Sequence, residues 1–166
     1  MTEQEKLAYF AGLLDGEGSF QLYYYKNNRG FPSFQSKMFI GNTDIKMIEW
    51  VHSNFGGYVF KVIRGKNEKT PEKWKDLFIW YKNLNQLEIP FLSSLLRLSI
   101  TKKDRIELVI EYLKTKSSSS KPLKLTPEII QKRLDLIDKI KLLNKRGKSL
   151  NEQNIINPII DDNSTS

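Results

Sequence analysis

The stretch FAGLLDGEG, Phe10–Gly18, decides how the chain is read. Upstream of it, Thr2 and Glu5 have the spacing of a capping box, which predicts a helix start. Leu7, Phe10, Ala11 and Leu14 continue at helical spacing. Gly16 and Gly18 are expected to stop this helix, because glycine reaches the backbone angles that helix ends use. Two acids, Asp15 and Glu17, then fall at its C-terminal end. Carboxylates there oppose the helix dipole by about 0.3–1 kcal/mol each, so their presence calls for another reason. Ala8, Ala11 and Gly12 predict a flat stripe where a second helix backbone can come close.

Composition narrows the classes of function. The chain has 166 residues, enough for one domain, expected over 1–150, with a polar and flexible tail at 151–166. Apolar residues make up 39%, so a folded core is expected. A net charge of +8 and a pI near 9.5 point toward a polyanion. Cysteine is absent and His52 is the single histidine, which argues against disulfides, thiolate metal sites and Ser-His chemistry. No apolar run reaches membrane length, so no membrane partner is expected, and no signal-peptide pattern opens the chain.

Beyond Gly18, Ser19–Lys26 alternates as a strand, with Phe20, Leu22 and Tyr24 on one face and Gln21, Tyr23 and Tyr25 on the other. A loop with Gly30 and Pro32 leads to a second strand, Gln35–Gly41, and the two predict a hairpin with one polar, aromatic face. Asn42 or Thr43 is expected to cap a helix from about Asp44 to Asn54, ended by Gly56 and Gly57. Strands at Tyr58–Arg64 and Lys75–Lys82 follow, joined by a loop around Gly65–Lys73. Basic residues outnumber acids there and are set among Trp74, Trp80 and Tyr81, as suits nucleic-acid contacts. The inward face of the third strand is left open by its pattern. Asn83 is expected to cap a helix toward Leu98, bent near Pro90, and Thr101 with Asp104 to open another to about Lys116. Ser117–Ser120 reads as a linker, and Thr126-Pro127 starts a last helix ended by Gly147. The order is αββαββα with extra C-terminal helices, an α+β fold with one sheet face covered and the other free and basic.

Lys102 and Lys103 open a helix, where the dipole disfavours cations. Acids at one helix's negative end and lysines at another's positive end suggest a functional site. Glu17 can hold a hard divalent cation such as Mg²⁺ through oxygen, helped by the Gly16 carbonyl. Lys102 can stabilise a phosphorane-like transition state, and Asp44 can orient a water. Together they suit phosphodiester hydrolysis by metal-activated water.

The motif resembles, residue type for residue type, the signature of the LAGLIDADG homing endonucleases, in its single-motif, homodimeric branch. The αββαββα order over residues 1–116 and the string LLNKRG from Leu142 agree with that resemblance. It implies a curved antiparallel sheet and a metal-binding acid at Glu17 beside Gly16. It further implies active-site places for Asp44 and Lys102, with Lys103 second. Only one copy of the motif is present, so the resemblance implies pairing about a two-fold axis through Ala8, Ala11, Gly12 and Asp15. The activity implied is cutting of both strands at a long, roughly palindromic site, in service of intron homing. Mg²⁺ is the implied cofactor, and Ca²⁺ is expected to support binding without cleavage. Double-stranded DNA is the implied partner, contacted by Gln21, Tyr23, Tyr25, Asn27, Arg29, Gln35, Lys37, Arg64, Lys66 and Lys75. The alternatives are an RNA maturase that binds intron RNA and assists splicing, or a non-catalytic DNA-binding regulator. A mitochondrial or chloroplast location is the expectation that accompanies the family.

Overall fold

A computed structural model describes residues 1–63, 75–116 and 125–145. Helix α1, Glu3–Glu17, leads directly into strand β1, Gly18–Lys26, which turns into β2, Pro32–Asn42. Helix α2, Ile45–Phe55, is followed by β3, Tyr58–Val62, and β4, Leu77–Asn83. A short 3-10 turn, Gln86–Glu88, then precedes α3, Ile89–Leu98, α4, Lys103–Lys114, and α5, Pro127–Lys145. The strands form one antiparallel sheet in the order β1-β2-β4-β3. The α+β class and the element order are those expected.

Alternation fixes which face is covered. Phe20, Leu22, Met38, Ile40 and Trp80 point to the helices and are buried. Phe10 of α1 joins this core through Phe55, Phe91 and Trp80, at ring separations of 4.3, 5.7 and 5.6 Å. Trp80 is fully buried and its indole N–H donates to Gly56 O at 2.6 Å, so its one polar atom is satisfied. The opposite face carries Gln21, Tyr23, Lys37, Phe39 and Tyr81, all part-exposed. Register also settles β3: Val59 and Lys61 lie on the helix side with Trp80 and Phe78, whereas Tyr58, Phe60 and Val62 lie on the open side. At the sheet's outer strand, Asn144 of α5 donates to Phe20 O at 2.9 Å and accepts from Arg105 Nε of α4 at 3.0 Å. This pins the start of β1 between two helices.

Several expected boundaries are corrected. The first helix does not end at Gly16 through left-handed glycine geometry. It runs to Glu17, and Gly18 caps it in extended conformation, φ −89°. Glycine is needed at Gly18 for space: an added Cβ would lie 2.5 Å from Leu14 O and 2.8 Å from Leu14 Cα. The cap of α2 is Asp44, accepting from Lys46 N at 2.9 Å, while Asn42 holds Asp44 N at 2.8 Å. Asn85, not Asn83, caps the 3-10 turn, and Pro90 sits in the first turn of α3, where it bends nothing. Thr101 does not cap α4, whose N-cap position is Lys102 without a side-chain cap of its own. The loop at 65–73, the Ser117–Ser120 linker, the Gly147 stop and the tail at 151–166 lie outside the described residues.

Because the neighbour that an added methyl meets is backbone, Gly18→Ala is expected to destabilise the fold by about 1–3 kcal/mol. Gly16→Ala meets nothing within 4 Å and should leave the isolated domain as stable or slightly more so. Urea unfolding of the two variants side by side reads the difference.

Candidate active site and nucleic-acid interface

The acid that organises the site is Asp15, in the last turn of α1. Its Oδ1 accepts from the Ser99 hydroxyl at 2.5 Å, Thr101 N at 3.1 Å and Lys102 N at 3.2 Å. Its Oδ2 accepts from Ile100 N at 2.6 Å. The Thr101 hydroxyl, 3.1 Å from Oδ1 and 3.2 Å from Asp15 O, closes the turn. The carboxylate therefore holds, from a distant part of the chain, the backbone turn that leads into α4, sharing the Lys102 N–H with the Ser99 hydroxyl, 3.2 Å away. It is badly placed for the dipole of its own helix and well placed for that of α4. Burial alone would raise the Asp15 pKa, but hydrogen bonds from Ser99, Ile100 and Thr101 outweigh it and hold the carboxyl below its ordinary 3.8.

This arrangement places Lys102 beside the end of the motif helix. Burial holds the Lys102 ammonium below the ordinary lysine value, and Arg105 adds to the effect, while the charge of Asp15 opposes it. Lys103 follows as the exposed first residue of α4. Glu17 ends α1, exposed, two residues beyond Asp15. Among the last carbonyls of α1, Leu14 O is taken by the Gly18 N–H and Asp15 O by Thr101, and exposed Gly16 is next. Asp44 is exposed, and its Oδ1 accepts from Lys46 N at the α2 N-terminus, just beyond the end of β2 that pairs with Gly18.

No group of three or more His, Cys, Asp or Glu side chains able to hold a metal ion occurs among the described residues. One exposed carboxylate fits part of an Mg²⁺ site, since that ion is commonly held by one or two carboxylates together with substrate phosphates. The Gly16 carbonyl beside it can add one more oxygen, and substrate phosphates and water supply the others.

The outward stripe of α1 also needs one correction. Ala8 and Gly12 are exposed, and an added Cβ at Gly12 or Gly16 meets nothing within 4 Å. Ala11, by contrast, is 1% exposed and belongs to the domain's own core, so it cannot line a surface between copies. Asp15 likewise faces its own chain.

Of the expected DNA-contacting residues, Gln21, Tyr23, Tyr25, Gln35 and Lys37 share the open sheet face through the pairs Gln21–Lys37 and Tyr23–Gln35. They are linked to one another: Tyr23 OH donates to Gln21 Oε1, and Gln35 Nε2 donates to Tyr25 OH at 2.9 Å. Burial pushes the Tyr23 phenol up to about 12, so it stays protonated at neutral pH. Asn27 Oδ1 holds the hairpin turn through Arg29 N and Phe31 N, both at 3.0 Å, and is less free for a ligand. Arg29 and Lys75 are exposed; Arg64 and Lys66 lie outside the described residues. Sequence reasoning missed Ser99 and Thr101, whose role depends on a contact with the first helix, and Tyr58, Phe60, Phe39 and Tyr81 as a group, which only the register assembles.

The solved structures similar to this chain are homing endonucleases. Homing endonuclease I-CvuI, in complex with its target in the presence of Ca, matches with a TM-score of 0.64 at 18% identity, over 88% of this chain and 85% of that one. The archaeal intron-encoded homing endonuclease I-Vdi141I, complexed with DNA, matches with a TM-score of 0.67 at 17% identity, over 90% of each chain. The LAGLIDADG homing endonuclease I-GzeII, in complex with its DNA target, matches with a TM-score of 0.55 at 18% identity, over 81% of this chain and 43% of that one. The fold is that of the LAGLIDADG homing endonucleases. No protein-family model matches the sequence, and no curated protein does. Within the LAGLIDADG fold, the motif stretch is α1 with its exit into β1, and the Asp15 turn joins that exit to α4.

Asp15→Asn removes the charge while keeping the shape, and is expected to cost about 1–3 kcal/mol in urea unfolding at neutral pH after solvent screening is allowed for. The folded carboxyl titrates below 3.8, so its stabilisation is complete above that value and is lost as pH falls through the folded pKa. Wild-type and variant stabilities should therefore converge at the acid end. A gap that does not narrow as pH falls through the acid range would falsify the role of the charge.

Proposed function

We propose that this protein is a site-specific endonuclease that cuts both strands of duplex DNA as a homodimer, by metal-dependent phosphodiester hydrolysis. The observation that carries this reading is the Asp15 turn, which keeps an exposed acid, Glu17, and a part-buried lysine, Lys102, at one end of a sheet with an open polar face. Phosphodiester hydrolysis needs that combination: an oxygen donor for a divalent cation, a positive charge near the phosphate, and a surface that orients the duplex.

In this reading Glu17 and the Gly16 carbonyl hold the cation together with phosphate oxygens. Mg²⁺, when bound, supplies charge neutralisation and water activation. Lys102 sets its ammonium toward the phosphate, where negative charge grows during the reaction. In its neutral form, which burial favours, the same amine can instead take a proton from the attacking water. Asp15 acts through Lys102, holding the backbone from which that side chain extends. Lys103 is a secondary source of charge, and exposed Asp44, which caps α2 through Oδ1, orients the water.

The homodimer follows from arithmetic. One chain offers one such acid, whereas a cut through both strands needs two reacting centres. Ala8, Gly12 and Gly16 leave the outer side of α1 without side-chain bulk, which suits close packing against a second copy about a two-fold axis. A two-fold protein then favours a roughly palindromic target. Intron homing is the biological setting that this activity fits.

Two experiments test the reading. Glu17→Gln should reduce cleavage of the selected target to background while duplex binding in Ca²⁺ persists; undiminished cutting overturns the assignment. Gly12→Leu should shift the protein toward monomer in analytical ultracentrifugation and abolish double-strand cutting. A Gly12→Leu monomer that still cuts both strands overturns the paired site.

A further inference from the structure

The open sheet face changes character along its length. Gly18 directly follows Glu17 and pairs with Ile40, which pairs with Trp80, which pairs with Val59. The adjacent row on the open side is Ser19–Phe39–Tyr81–Tyr58. Toward the hairpin tip come Gln21–Lys37 and Tyr23–Gln35; in the other direction come Ile79 and Phe60. Amide and lysine side chains with Tyr23 therefore occupy the outer part of the face, and the part next to Glu17 is mainly aromatic and apolar, with Ser19 and the hydroxyls of Tyr81 and Tyr58 as its polar groups. Tyr58 is 57% exposed and Phe60 42%, large values for side chains of a folded domain.

Building on the endonuclease reading, we propose that the β3–β4 part of this face recognises thymines by their methyl groups, at base pairs nearer the scissile bonds than those met by Gln21, Tyr23 and Gln35. In the major groove the thymine methyl is the one base-edge feature that rewards an apolar side chain, and Phe60, Phe39 and Ile79 have no donor or acceptor to offer. The patch is continuous with the polar part of the face: Lys37 Nζ lies 5.1 Å from the Tyr81 ring centroid and 5.7 Å from that of Tyr23. Single-stranded RNA, which aromatic sheets bind by stacking bases on ring faces, fits less well. Tyr81 is enclosed by Tyr58 stacked at 5.1 Å, by Phe60 edge-on at 5.9 Å and by Lys37, so base stacking would be left to the exposed Tyr58 and Phe60.

The test begins with a random duplex library, from which sites bound by the full chain in Ca²⁺ are selected. Thymines of the consensus are then replaced one at a time by deoxyuridine, which lacks only the methyl, and Kd is measured on the unmodified protein. Loss of about fourfold per inner methyl is expected, the equivalent of one buried methylene. Phe60→Ala and Tyr58→Ala should erase that difference at inner positions and leave the outer ones unchanged. An inner consensus without thymine, or inner thymines that tolerate deoxyuridine, overturns the inference and leaves the endonuclease reading standing. Failure to select any duplex overturns both. Preference for single-stranded RNA over the duplex, lost in Tyr58→Ala, overturns it in favour of stacking.

Discussion

A single carboxylate, that of Asp15, accounts for an arrangement that is unfavourable when each helix is taken alone. At the end of α1 it opposes the dipole, and the lysines at the start of α4 oppose theirs. Once the two ends meet, the acid satisfies the N–H groups of Ile100, Thr101 and Lys102, and its charge acts on the Lys102 ammonium. Two local costs cancel across a tertiary contact. The same contact fixes the distance between the motif helix and the turn that carries Lys102, which gives the proposed chemistry a rigid base.

The sheet adds the second constraint. Because α1 passes into β1 without a loop, the row of residues next to Gly18 is tied in register to the helix end. In the proposed reading, a duplex lying on the open face is thereby aligned with Glu17 by covalent geometry. Asn144 and Arg105 reinforce that alignment by clamping β1 between α4 and α5.

What the sequence disclosed follows the range of the interactions involved. The capping box at Thr2 and Glu5, the alternation of β1 and β2, and the stripe of α2 are local, and the element order came out accordingly. Alternation could not choose a face for β3, since both of its faces mix polar and apolar residues; pairing with Trp80 on β4 chose it. The contact between Asp15 and the turn before α4 has no local trace, and the spacing of Thr101 and Asp104 points to a local cap instead. Ala11 and Gly12 look alike as small residues in a helix, yet a rotation of one position puts the first in the core and the second in the open. Gly18 was legible as important but for a different reason, a close approach to Leu14 in place of an unusual backbone angle.

The Asp15 turn lies wholly inside one chain, although the proposed reaction takes two. A tandem duplication of the coding sequence would hence inherit a finished brace in each half, with no wiring to rebuild across the seam. From then on the two sheets could diverge independently, and a symmetric ancestor could give rise to a lopsided descendant with unequal halves.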